Sequence, residues 1–114
     1  MVGGARTSLA WSISRRLILR PEAEGDIVAA REWYEERRRG LSLEFRTALD
    51  ETLSRIEANP ELHAHVYRDL RRALLRRFPF GVFYVILPEV ISALAVFHTS
   101  RNPALWRARY RRHG

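Results

Sequence analysis

Two adjoining runs decide the fold of this chain: FGVFYVIL at Phe80–Leu87 and VISALAVF at Val90–Phe97, separated only by Pro88-Glu89. Both are rich in β-branched and aromatic residues, and each is of strand length. A two-residue spacer between such runs is a hairpin loop, which sets Leu87 opposite Val90 and, counting back, Phe80 opposite Phe97. The first run is apolar at nearly every position, as in a central strand covered on both faces. Upstream, Arg71 to Pro79 supplies a third strand and carries the pair Arg76-Arg77 into the turn before Phe80. Downstream, His98 and the turn holding Arg101 fall beside Pro79. The register therefore delivers Arg76, Arg77, His98 and Arg101 to one end of one sheet.

Charge is concentrated in the same segment. From Arg68 onward there are 10 arginines against 2 acids, whereas Met1 to Tyr67 holds 10 against 11. A focused cationic edge attracts phosphate or a carboxylate-bearing partner. Arginines also commonly do no more than solvate a strand end, and residue types alone leave both readings open.

Composition narrows the field. A chain of 114 residues builds one domain with a single modest core. It has no cysteine, which excludes disulfides, thiolate metal sites and a thiol nucleophile, and suits a reducing cytoplasm. No apolar run approaches the ~20 residues of a membrane span, so no membrane partner is expected. Residues 1–15 lack the pattern of a signal peptide and read as a poorly ordered extension, leaving residues 16–114 as the domain. All 20 basic residues are arginine. Arginine binds charge but hardly moves protons, so no lysine amine is available as a tunable acid.

Before the meander comes a strand, Arg16–Arg20, closed by Pro21. Pro21, Glu22 and Glu24 open a helix whose stripe is Ala23, Ile27, Ala30 and Tyr34; Arg37-Arg38-Arg39-Gly40 closes it. A second helix, Ser42–Ala58, carries Phe45, Leu49, Leu53 and Ile56 on one face and stops at Asn59-Pro60. The short Gly40-Leu41 link makes the helices an antiparallel hairpin, covering one face of the sheet. Glu61 to Asp69 reads as irregular.

The usual chemical motifs are missing. His63 and His65 make an incomplete metal set, no glycine-rich loop precedes a helix, and no serine sits in a nucleophile elbow. No metal or cofactor is expected. Tyr84 falls inside the central strand, where its hydroxyl needs a partner. His98 is the histidine of the cationic end, the side-chain type suited to acid–base work.

The ordered series resembles the RelE/ParE superfamily of toxins from type II toxin–antitoxin modules. It is carried by Leu19 to Ile27, Trp33-Tyr34-Glu35 with Gly40-Leu41, Ile56 to Glu61, Arg71-Arg72 through Phe80, Tyr84, and Val96-Phe97-His98 with Arg101-Asn102-Pro103 and Trp106. The resemblance implies an α+β fold of strand, two-helix hairpin and three-stranded antiparallel meander, with a short C-terminal helix or tail. It implies a cognate antitoxin partner and one of two activities. ParE-like members poison DNA gyrase through a protein contact. RelE-like members act on the ribosome and cut mRNA, which would make the chain an endoribonuclease.

In the nuclease branch the resemblance maps His98 to acid–base catalysis, Arg101 to transition-state stabilisation and Tyr110 to a late tyrosine, with Arg76 or Arg77 binding phosphate. Arg71, Arg76, Arg77, His98 and Arg101 are the target- or phosphate-binding candidates overall. The lysines of some nucleases are missing, and the His98-x-x-Arg101-x-Pro103-x-x-Trp106 ending with its long hairpin leans to the ParE side. A basic nucleic-acid- or protein-binding module without toxicity is the alternative of another class.

Overall fold

Strand-forming residues flank a helical hairpin in this chain, and the sheet they build is mixed. The computed structural model describes residues 15–113; the N-terminal extension expected over residues 1–15 lies outside that range except for Arg15. Strand β1 (Arg16–Leu19) leads into helices α1 (Pro21–Arg37) and α2 (Leu41–Ala58). A short 3-10 turn at Pro60–Leu62 precedes β2 (His65–Tyr67), β3 (Leu70–Leu74), β4 (Phe80–Ile86), β5 (Val90–His98) and helix α3 (Pro103–His113). Strands β2 to β5 are antiparallel neighbours, and β1 joins β5 in parallel, giving the order β1-β5-β4-β3-β2.

The expected α+β architecture is present, with β4 at the centre. One strand escaped the sequence: His65–Tyr67 lies in the stretch read as irregular. Three residues are too few for an alternation signal, and the pairing to β3 is itself broken by a register shift between His65 and Tyr67.

The β4–β5 register needs a correction. Leu87 N–H donates to Val90 O at 2.8 Å, as the hairpin count requires. Between Phe83 and Tyr84 the register slips by one, because Tyr84 pairs with Ala93 while Phe83 pairs with Ala95. Leu94 is the extra residue of a bulge, so Phe80 opposes His98 and not Phe97. The bulge moves His98 and everything after it by one residue relative to the turn at Pro79.

Helix α1 starts on Pro21, whose missing N–H costs nothing at that position. Gly40 makes the tight link to α2 at φ 89°, a left-handed conformation that suits glycine. The stripe Ala23, Ile27 and Ala30 is buried, as are Phe45, Leu49 and Ile56 of α2, while Tyr34 and Leu53 are half-buried. These residues cover one sheet face through Val82, Tyr84, Ile91, Ala93 and Val96. On the other face Trp106 of α3 stacks on Phe83 at 5.2 Å, over Leu70, Val85, Leu94 and Phe97. The central strand is thus covered on both sides. Among the described residues no helix is long and apolar enough to cross a membrane.

Candidate functional site

A recess lies where β5 loses its neighbour. Strand β1 pairs with β5 only as far as Leu19↔Ala93, and Arg20 N–H closes on Ala93 O at 3.0 Å. Beyond that point no described strand flanks β5 on this side. Asp26 of α1 and Arg109 of α3 fill the first vacated bonding positions. Asp26 Oδ2 accepts from Val96 N–H at 2.9 Å, and an Arg109 N–H donates to Leu94 O at 2.9 Å. The two side chains also form a bidentate ion pair at 2.9 and 3.0 Å.

Next to this clamp, α1 and the end of β5 stand apart, leaving a groove of about 580 Å³. Ala29, Ala30, Tyr34, Phe80 and Val96 line its apolar part, while Trp33, His98 and Arg101 are also in its lining. Packing explains its position. Tyr34 stacks on Phe45 at 5.5 Å and meets Phe78 edge-on at 5.0 Å, so an aromatic cluster fixes α1 against the β3–β4 turn. Alanines at positions 29 and 30 then leave room beside the strand.

At the groove's end, His98 meets Phe80 edge-on at 5.4 Å. Its Nδ1 accepts from Ser100 N–H at 3.0 Å, and the Ser100 hydroxyl lies 2.8 Å from the same nitrogen. A backbone N–H can only donate, so neutral His98 carries its proton on Nε2. Arg101 N–H donates to His98 O, tightening the turn, and its guanidinium lies 4.5 Å over the Phe97 ring. This arrangement sets an apolar recess beside a positively charged rim. It also exposes one histidine that is fixed in orientation.

A family model described as the ParE toxin of type II toxin–antitoxin systems, parDE, matches residues 17–103. The chain belongs to the ParE toxin family. Its fold is similar to a solved chain of the chromosomal ParDE TA system from P. aeruginosa, with a TM-score of 0.68 at 17% identity, covering 75% of this chain and 96% of that one. No curated protein matches the sequence.

Set on this toxin's fold, the candidates from the sequence divide. Pro79 O accepts from Thr99 N–H at 2.8 Å, so the turn carrying Arg76 and Arg77 does adjoin the loop carrying His98 and Arg101. They share an end but not a recess: Arg76 lines a shallow depression with Asp50, Glu51 and Ser54 of α2. Arg71 stands apart. It is half-buried, and one guanidinium N–H group donates to Glu61 O and His63 O at 2.9 and 2.8 Å, tying down the loop before β2.

Tyr110 is also remote. Its hydroxyl donates to Asp69, a contact that raises its pKa, and Asp69 adjoins Leu70 at the opposite end of the sheet from His98. Tyr84 has the partner its burial demands, donating to Pro60 O at 2.6 Å, and burial pushes its pKa up to about 12. His63 has its pKa lowered, first by burial and then by Arg55 and Arg71, which opposes a charged role. The described residues include no group of three or more His, Cys, Asp or Glu able to hold a metal ion.

Asp26 and Trp33 were not singled out from sequence as site residues. Trp33 reads as packing, yet it is 51% exposed, with the Arg37 guanidinium 3.5 Å over its ring.

Arg77 adopts φ 69°, a region in which a bulky side chain is strained. Glycine there should relieve ~1–2 kcal/mol of strain against ~0.5–1 kcal/mol of added chain entropy. We expect Arg77→Gly to leave stability unchanged or raise it by up to about 1.5 kcal/mol in urea unfolding. A clear loss would mean that the side chain braces the turn.

Proposed function

We propose that this toxin arrests growth by ParE-like inhibition of DNA gyrase through a protein contact, and that the tail of a cognate antitoxin neutralises it by filling the α1–β5 groove. The observation that supports the first part is the separation of the nuclease candidates. Tyr110 is engaged with Asp69 at the far end of the sheet, so the late tyrosine of the nuclease branch is not beside His98, and the chain has no lysine to substitute; the tyrosine that does share the groove, Tyr34, has its pKa raised by burial. What adjoins His98 instead is an apolar groove and a fixed positive charge, the makings of a contact surface. The antitoxin reading is supported by the ParDE pairing named for the similar structure. A groove beside an open strand edge also suits an extended or amphipathic tail that folds on binding.

Expression of the chain alone should stop bacterial growth, and purified toxin should inhibit gyrase supercoiling while leaving mRNA on ribosomes intact. His98→Ala and Arg101→Ala separate the mechanisms. In a contact mechanism Arg101→Ala does the greater harm, because it removes a fixed charge at the groove. Loss of a general acid–base group typically costs ~10²–10⁴-fold in rate. Ribosome-dependent mRNA cleavage that collapses by that margin in His98→Ala would replace the gyrase reading with a nuclease.

A further inference from the structure

A second charged surface, unrelated to the groove, lies where α3 passes the β2–β3 turn. The guanidinium carbons of Arg68 and Arg107 stand 5.1 and 5.2 Å from the centroid of one ring, Tyr67. That ring is itself held edge-on by Tyr110 at 5.5 Å, and Tyr110 is anchored on Asp69. Arg111 follows Arg107 by four residues, a rise of about 6 Å along the helix, and is exposed. The ion pairs among the described residues are Arg37–Glu36, Arg38–Glu44, Arg46–Asp50 and Arg109–Asp26. None of them involves Arg68, Arg107 or Arg111; the Asp69 carboxylate that holds Tyr110 offsets part of their charge without pairing with any of the three.

Two features say that the charge is there for a partner. Cations at the end of α3 complement its dipole, which accounts for Arg111 and Arg112, but Arg107 lies in the first half of the helix, where the dipole gives it nothing. Arg68 takes φ 53° at the tip of a tight turn, a conformation that glycine would adopt without strain. A strained arginine kept beside a second arginine, both against one fixed ring, resembles the strain found at binding sites. Arginine suits phosphate: its charge is permanent, and its planar fork can donate two hydrogen bonds at once.

We propose that Arg68, Arg107 and Arg111 form a binding surface for the phosphate backbone of duplex DNA, with Tyr67 positioning the first two. The choice of duplex DNA over other polyanions rests on the gyrase reading, since gyrase works on duplex DNA.

The test is fluorescence anisotropy of the full chain, freed of antitoxin, with a labelled duplex of arbitrary sequence at several salt concentrations. Three phosphate contacts predict a slope of log K against log salt of about −3. Arg107→Ala/Arg111→Ala should flatten the slope by about 2 and weaken binding at least tenfold. Arg68→Gly should weaken binding without lowering the melting temperature, which a bracing role for that side chain would not allow. Arg46→Ala, on α2, is the control and should change nothing.

Unchanged binding in the Arg68 and Arg107/Arg111 variants would overturn the proposal. So would tighter binding to polyglutamate, which makes the surface a protein-docking site, or to single-stranded RNA. Gyrase inhibition measured on the same preparations keeps the two readings apart: inhibition without duplex binding removes only this surface, and duplex binding without inhibition removes only the gyrase mechanism.

Discussion

Asp26→Ala is expected to destabilise the domain by about 3 kcal/mol, because it breaks one side of a largely buried ion pair. The carboxylate is only 12% exposed and its Arg109 partner 18%. One Asp26 oxygen serves both the Val96 N–H and an Arg109 N–H group, and the other accepts a second hydrogen bond from Arg109. Alanine therefore strands a largely buried guanidinium and an edge N–H together. Breaking one side of a buried pair costs ~3–5 kcal/mol, and the residual exposure points to the lower end. Arginine stays protonated across the working pH range whether or not it has a partner, so the stranded guanidinium cannot escape the penalty by losing its proton.

Urea unfolding of Asp26→Ala and of the double variant Asp26→Leu/Arg109→Met makes the check. The double variant should be less destabilised than the single one, because neither charge is left alone. A loss under about 1 kcal/mol in Asp26→Ala would mean that the pair behaves like an exposed surface bridge.

That clamp marks the boundary of what the sequence discloses. Local patterns were legible: the Pro88-Glu89 hairpin, the Pro21 helix start and the Gly40 link each depend on a few adjacent residues. The one-residue slip at Leu94 was not, because a bulge leaves an apolar run looking uniform, and its cost was a misplaced His98. Asp26 and Arg109 lie 83 residues apart, and neither position carries a local signal. Arg109 in particular sits among arginines of identical type, yet it alone of the α3 arginines has an acidic partner among the described residues.

The same limit applies to Arg71 and Tyr110. The resemblance made Tyr110 a catalytic candidate and the charge of its segment made Arg71 a binding one, but the carbonyls of Glu61 and His63 engage Arg71, and Asp69 engages Tyr110. Charge in the second half of the chain was visible from composition. Which of those cations are committed internally depends on tertiary contacts.

Trp33→Ala should cost antitoxin binding at least about 2 kcal/mol, roughly a thirtyfold weakening, if the groove receives the antitoxin tail. Tryptophan is among the residues that most often dominate an interface, because a large rigid ring is buried at little entropic cost. Trp33 is prepared for that role in the free toxin. Arg37 lies over its ring at 3.5 Å and Tyr34 meets it edge-on at 5.1 Å, so its orientation is set before a partner arrives. Because the side chain is 51% exposed, its removal should cost the isolated domain less than about 1 kcal/mol. The expected result is therefore a toxin that folds like the wild type but binds its antitoxin weakly. Calorimetry of the purified pair gives the affinity directly. Wild-type affinity in Trp33→Ala would place the antitoxin elsewhere and leave the groove as the candidate contact for the toxin's target.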